Sequence, residues 1–307
     1  MWKLSGGIFL GWGLGSNDFA NIFGTSVSAG LIRYRTAILL CASFLLLGAY
    51  LEGPKCMNTV GGFTELSGAT SFICTLSSAI IIATLTYLAL PASASQAIIG
   101  ALMGAAAMTG TMNFTKLNKI VLCWVISPFS SLIFSMSLYW LLGFLFSRFI
   151  KSHYWYNACL TAGVVVAGCY GAYSLGANNV ANVTGVYAGT GMITPLTASV
   201  IGGLSIASGV LTYSYKVMET VGKKIVPLDA FSAFIATLAN ALTLHLFTQV
   251  GVPVSATQTI VGAVVGVGLS RDYRTVSKKM ITSIGLGWIV TPLSAGIFTY
   301  LALIVFH

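Results

Sequence analysis

Seven stretches of this chain run almost free of charge: Thr36–Tyr50, Phe72–Leu90, Ile120–Ile150, Ala158–Leu175, Pro195–Tyr213, Ala230–Val250 and Met280–Phe306. A helix needs about 20 apolar residues to cross the hydrocarbon core of a bilayer, and most of these stretches supply that length. A transmembrane barrel would instead show alternating segments of about 10 residues, and none is present. Charged residues make up 7% of the 307, against about 25% in a soluble domain. The expectation is an all-α polytopic membrane protein, multi-pass in the cell membrane and in contact with lipid. The opening Met1-Trp2-Lys3 is too short for the basic region of a cleavable signal, so the first span is expected to act as its own insertion signal.

Against this background two polar clusters stand out. Gly15-Ser16-Asn17-Asp18-Phe19-Ala20-Asn21 interrupts the first apolar segment, from about Leu4 to Ile32. Gly176-Ala177-Asn178-Asn179-Val180-Ala181-Asn182 interrupts a later one. Strongly polar groups at membrane depth are expensive and mark functional sites by default. Gly11, Gly13 and Gly15 superficially suggest a dinucleotide loop, but no strand precedes them and Ser16 spoils the spacing. In a membrane segment such glycines permit close helix approach or local unwinding, which is tolerated where backbone is buried or lines a wet cavity.

The two clusters are one of four collinear matches. Asn17 pairs with Asn178, and with it Gly15/Gly176, Ala20/Ala181 and Asn21/Asn182. Thr59-Val60-Gly61 pairs with Thr220-Val221-Gly222, Pro91-x-Ser93-Ala94-x-Gln96 with Pro253-x-Ser255-Ala256-x-Gln258, and Trp124…Pro128…Phe134 with Trp288…Pro292…Phe298. The chain therefore reads as a tandem duplication: a first repeat over 1–150, a connecting loop over 151–157 and a second repeat over 158–307. The stretches after Pro91 and Pro253 are short and rich in Gly, Ala and Ser, which fits re-entrant elements better than full spans. Tandem repeats with broken helices are typical of secondary transporters, whose sites lie near the midplane between the repeats.

GSNDFAN, GANNVAN, PASASQ and PVSATQ resemble the paired motifs of the inorganic phosphate transporter (PiT) family, the sodium- or proton-coupled phosphate symporters. The resemblance runs from about Gly6 to Phe306. It implies two inverted repeats, each with a polar helix break and a re-entrant hairpin, and a homodimer. The chain lacks any long hydrophilic loop between its halves. Hydropathy alone gives four apolar stretches plus a hairpin per half, whereas inversion needs an odd number of crossings, so one stretch must be re-entrant or a long one such as Ile120–Ile150 split. Basic residues spread over most connections leave the orientation open.

Carried over by resemblance, Asn17, Asp18 and Asn21 come from the first half and Asn178, Asn179 and Asn182 from the second. Ser93, Ser95, Gln96, Ser255, Thr257 and Gln258 come from the hairpins. The implied assignment puts Ser93, Ser95, Gln96, Ser255, Thr257, Gln258, Asn17 and Asn178 on inorganic phosphate, and Asp18, Asn21, Asn179 and Asn182 on sodium; a proton is the alternative coupling ion, and no other cofactor is expected. The chemistry suits these types. Amides and hydroxyls offer both donors and acceptors, and a dehydrated oxyanion needs donors to replace water. No Lys or Arg, the usual phosphate clamp, lies inside the motifs, so helix N-termini and bound cations must supply positive charge. The family usually has Asp where Asn179 stands. That change leaves open a different ion count, a sulfate-type substrate, or an uncoupled anion channel on the same fold.

The remaining polar residues carry less. The net charge is +9, and the basic residues in the connections are read as topology determinants and headgroup contacts, with no nucleic-acid partner. Six cysteines without CxxC spacing are read as small packing residues. Glu52, Glu65, Glu219 and Asp229 are read as interfacial charges, with coupling or gating open for Glu52 and Glu219, and His245 as a hydrogen-bonded packing residue. No HExxH or GxSxG motif speaks for an enzyme.

Overall fold

The computed structural model describes residues 2–28, 30–88, 92–224, 228–271 and 278–306, and of residues 216–217, 219–224 and 278–284 the backbone only. Pro91, Arg274, His307 and the side chains of Glu219 and Thr220-Val221-Gly222 fall outside that description. Among the described residues all regular structure is helical: α1 (Ser5–Phe19), a π turn (Ala20–Gly24), α2 (Thr25–Ser28), α3 (Tyr34–Glu52), α4 (Pro54–Gly61), α5 (Gly68–Tyr87), α6 (Ala94–Thr109), α7 (Phe114–Phe149), α8 (His153–Gly189), α9 (Pro195–Lys224), α10 (Ala230–Val250), α11 (Ala256–Arg271) and α12 (Lys278–Phe306). Seven of them are long and apolar enough to cross a membrane, and the chain is a multi-pass integral membrane protein.

The helix breaks are not where the Asn-rich motifs led us to expect them. α8 runs unbroken through Gly176–Asn182, and α1 passes through Gly15–Phe19 before a single π turn at Ala20–Gly24. The breaks lie instead ahead of α6 and α11. Nor is Ile120–Ile150 split: it lies in the 36-residue α7, with Pro128 inside it. The connection after Glu52 is also not plain loop. Pro54 starts α4 at a position where its missing N–H costs nothing, and the helix packs on α8.

α5 and α6 form a hairpin whose two ends share one face. The Asn113 N–H donates to Phe63 O (3.0 Å) and Thr64 meets Thr111 through their hydroxyls (2.7 Å), which closes its base. α10 and α11 form the equivalent hairpin, closed at its base by the Arg271–Asp229 ion pair. Each half then has three crossings, namely α1–α2, α3 and α7, then α8, α9 and α12. Three is odd, as inversion requires. α1 and α8 lie antiparallel: Tyr187 of α8 donates to Lys3 O ahead of α1 (2.7 Å), and Gly168 and Gly171 face Phe23 and Ile22 at its other end.

The halves also grip each other reciprocally. A Cβ at Gly15 of α1 would overlap Ile206 O of α9, and one at Gly176 of α8 would overlap Leu45 O of α3. Gly48 lies against Tyr173 and Gly209 against Trp12. Gly100 and Gly104 of α6 rest on the backbone of Pro292 and Gly296 of α12, while Gly262 and Gly266 of α11 rest on that of Pro128 and Leu132 of α7. Every contact maps onto its partner by the sequence repeat, the arrangement that two inverted repeats require. Small residues allow such backbone approach where no hydrophobic force separates helices from lipid.

This topology sorts the basic residues. Call face A the one where α1 begins. Lys3, Lys55, Lys116 and Lys119 lie toward face A. Arg33, Arg35, Arg148, Lys151, Lys216, Lys223, Lys224 and Arg271 lie on or beside helix ends at the opposite face B.

Candidate functional site between the repeats

Twelve residues were singled out from the sequence, and all twelve are buried, between 0% and 6% exposed. In the first half, Asn21 Nδ2 donates to Asp18 Oδ1 (3.1 Å) and to Thr257 Oγ1 (3.3 Å), tying α1 to the second hairpin. The π turn carries Asn21. Such single turns shift side chains off the regular helical register and recur at functional sites. Thr257 Oγ1 in turn donates to Ala92 O (2.9 Å), so the two hairpins meet. In the second half, Asn182 Nδ2 donates to Asn179 Oδ1 (2.9 Å), repeating the Asn21–Asp18 contact.

The symmetry ends there. The contact equivalent to Asn21–Thr257 would join Asn182 to Ser95. Instead Ser95 exchanges a hydrogen bond with Ser93 (3.2 Å). Asn182 Oδ1 and Asn179 Nδ2 are buried without a protein partner. A buried polar atom left unpaired costs about 1–3 kcal/mol, so these two point to a ligand: an acceptor for a cation or water, and a donor for an anion oxygen or water.

Asn17 and Asn178 bond to the first helix of each hairpin. Asn17 Nδ2 donates to Thr86 Oγ1 of α5 (3.1 Å), and Asn178 Nδ2 donates to Thr248 Oγ1 of α10 (3.1 Å). Asn178 Nδ2 also lies 3.3 Å from Leu244 O and 3.2 Å from Val252 O, and the Val254 N–H donates to Asn178 Oδ1 (2.8 Å). Both ends of the Asn178 amide are thus committed to the chain break between α10 and α11. Thr86 and Thr248 were missed from sequence, although they stand at the same repeat offset as the hairpin motifs.

Ser93 and Ser255 cap the return helices. The Gln96 N–H donates to Ser93 Oγ (3.3 Å) and the Gln258 N–H to Ser255 Oγ (3.2 Å). Each leaves other first-turn N–H groups of α6 and α11 without an intrahelical acceptor, at the positive end of the helix dipole. The Gln96 and Gln258 side chains line a cavity of about 250 Å³ together with Trp124 of α7 and Trp288 of α12. Both Gln Oε1 atoms and both indole N–H groups lack a partner there. The sequence marked the tryptophans only as repeat landmarks.

The chain is 29% identical to the "Putative phosphate permease PF1020" of Pyrococcus furiosus, covering 95% of this chain and 92% of that one. It is 27% identical to the "Sulfate permease CysP" of Bacillus subtilis, covering 97% and 86%. A solved structure described as the sodium-dependent phosphate transporter has the same fold, with a TM-score of 0.89 over 100% of this chain and 99% of that one at 24% identity. The phosphate transporter family profile matches residues 14–299, most of the chain, and the chain belongs to that family.

Proposed function

We propose that the protein imports inorganic phosphate across the cell membrane by symport with a cation, sodium being the ion favoured. The carrying observation is the unpaired, buried Asn179 Nδ2 and Asn182 Oδ1 of α8, together with the equivalent Asp18–Asn21 pair of α1, whose amide also reaches Thr257. This is a site with hard oxygen ligands for a small cation and donors for an oxyanion, but without a cationic side chain. Anion and cation then bind together because each neutralises the other in a medium where a lone charge is costly. In this reading Asp18, Asn21, Asn179 and Asn182 take the cation, while Ser93, Ser95, Ser255, Thr257 and the first turns of α6 and α11 take the anion. Asn17 and Asn178 hold the hairpins in place. Gln96 and Gln258 reach the anion only by turning from the cavity they share with the tryptophans. The membership of the family and the permeases it contains support transport rather than catalysis.

The sorting of basic residues supports placing face B in the cytoplasm, by the excess of Lys and Arg in cytoplasmic connections. Face A then looks outward.

Sulfate transport is the second reading, favoured by Asn179 and by the likeness to a sulfate permease. The test is uptake of labelled phosphate and sulfate into proteoliposomes, with sodium and proton gradients imposed separately. Phosphate uptake driven by sodium supports the first reading. Sulfate uptake that excess phosphate fails to inhibit supports the second and sinks the first.

A further inference from the structure

The second hairpin is fastened to the rest of the protein by ionisable groups that the equivalent positions of the first half lack. At the second hairpin, Glu52 at the end of α3 collects donors from three other helices. Its Oε2 accepts from Gln249 Nε2 of α10 (2.7 Å) and Lys55 Nζ of α4 (3.2 Å) and lies 3.3 Å from His245 Nε2 of α10, and its Oε1 accepts from Tyr173 of α8 (2.9 Å). Lys55 also donates to Gln249 Oε1 (2.7 Å), and Tyr170 of α8 meets His245 Nδ1 (2.6 Å). The hairpin tip beyond is pinned too. Thr59 of α4 donates to Gly251 O (2.5 Å) and Lys119 of α7 to Val250 O (3.0 Å).

The repeat supplies a control within the same molecule. The positions equivalent to Glu52, Tyr170, Tyr173, His245 and Gln249 are Tyr213, Phe9, Trp12, Ala83 and Tyr87. There Phe9 stacks on Trp12 at 6.0 Å between ring centroids, and Trp12 lies against Tyr213 at 5.5 Å. In the first half these positions join α1 to α9 by stacked rings, with Tyr87 of α5 exposed, whereas in the second half a carboxylate and an imidazole tie α3 to the hairpin. No requirement of the shared fold explains the difference, since the aromatic version serves the other half.

We infer that Glu52 and His245 form a proton-binding site on face A that sets how firmly the α10–α11 hairpin is seated. Histidine is the side chain whose ordinary titration falls between about pH 5 and 8. With His245 neutral, Nε2 lies 3.3 Å from Glu52 and Nδ1 accepts from the Tyr170 hydroxyl. When a proton arrives at Nδ1, the hydroxyl turns its hydrogen away and its oxygen accepts. The protonated state adds a charge-assisted bond to Glu52. Of the elements packed on α10, the π turn and α2 carry no charged or titratable residue. α4 presents Lys55, α8 presents Tyr170 and Tyr173, and α7 presents Lys119. The charge at the end of α11, Arg271, is paired with Asp229 at the other face. The sign follows. The added attraction exists only while His245 carries its extra proton, so it is present in acid and absent in alkali. Acid seats the hairpin and alkali frees it. Reading that seating as control of a transport cycle rests on the proposed function, but the seating itself does not.

Cys56 reports on it directly. It is buried on α4 and faces Asn178, whose Nδ2 lies 4.0 Å from its Sγ, while Cys159 is exposed. Purified protein without phosphate is treated with a small water-soluble methanethiosulfonate, and modification of Cys56 is read by peptide mass spectrometry at pH 6 and pH 8. Comparing variants at equal pH cancels the intrinsic reactivity of the thiol. His245→Gln is expected to speed Cys56 modification about fivefold over wild type at pH 6, the scale of one partly exposed ion pair, and to leave it within about twofold at pH 8. Glu52→Gln also loosens Lys55, Gln249 and Tyr173 at both pH values, so its ratio to wild type is expected above one at pH 8 and larger still at pH 6, and it carries the test if His245→Gln does not fold. A variant-to-wild-type ratio that is the same at both pH values overturns the proposal. Because no transport is measured, that failure leaves the phosphate reading standing, and failure of phosphate uptake leaves this one standing.

Discussion

Asp18 and Asn179 occupy equivalent places on α1 and α8, and each accepts a hydrogen bond from an asparagine three residues later, at 3.1 Å from Asn21 and 2.9 Å from Asn182. The geometry is conserved between the halves while the charge is not. The single carboxylate also lies next to the π turn, and the neutral amide in an undistorted helix.

The charge difference is testable in both directions. Asp18→Asn makes the two halves alike and neutral, and is expected to abolish the sodium dependence of uptake. Asn179→Asp restores a second carboxylate and is expected to steepen that dependence. Initial rates against sodium concentration at fixed phosphate read both. Unchanged sodium dependence in Asp18→Asn would remove Asp18 from the cation site.

Asn178 and Thr257 should separate structure from binding. Asn178→Ala takes their partner from the Val254 N–H and from Val252 O, at about 1–3 kcal/mol for each buried group, while Thr248 keeps its bond to Leu244 O. It should lower the melting temperature in detergent and lose uptake. Thr257→Val removes one hydroxyl and is expected to lower uptake at least tenfold while costing about 1 kcal/mol or less. Equal thermal losses in the two variants would contradict the division of roles.

The glycine seams predict a steep local difference. A Cβ at Gly176 meets Leu45 O, whereas one at Gly285 has open space. Gly176→Ala is expected to cost about 1–3 kcal/mol by overpacking. Gly285→Ala should be neutral or stabilise by up to about 1 kcal/mol through helix propensity. Thermal unfolding of the two variants, side by side, measures the contrast.

Orientation can be read with an impermeant thiol reagent on intact cells. Lys151→Cys lies between α7 and α8 at face B, and Glu65→Cys ahead of α5 at face A. The second should label from outside and the first only after permeabilisation. The reverse pattern would invert the protein in the membrane, and with it the side from which protons reach His245.

Much of this was legible in the sequence because duplication doubles every signal. The Asn motifs, the hairpin motifs and the buried positions of all twelve candidate residues follow from matching one half to the other. What hydropathy could not reveal was which apolar stretches cross. α5 and α10 are as long and apolar as true spans, and only the contacts at the hairpin bases, Phe63 with Asn113 and Asp229 with Arg271, show that they turn back. Asn and Gly are poor helix formers, so the motifs looked like breaks. Yet α8 stays helical through Asn178, because the amide is spent on the neighbouring hairpin and tertiary packing holds the helix. The Glu52–His245 pair was invisible for a different reason: 193 residues separate its members, and neither has a counterpart in the other half.

The seams where α6 lies on α12 and α11 on α7 have a mechanical consequence. Helices that meet through interleaved side chains resist sliding, because each step forces a new set of rotamers. Gly100 and Gly104 against Pro292 and Gly296, and Gly262 and Gly266 against Pro128 and Leu132, bring bare backbone to bare backbone. Such a surface works as a bearing rather than a zipper. It carries the load of one half against the other and offers little friction along its length. Each hairpin is built into one repeat but rests on the last helix of the other, so displacing either hairpin is already a movement of the two halves.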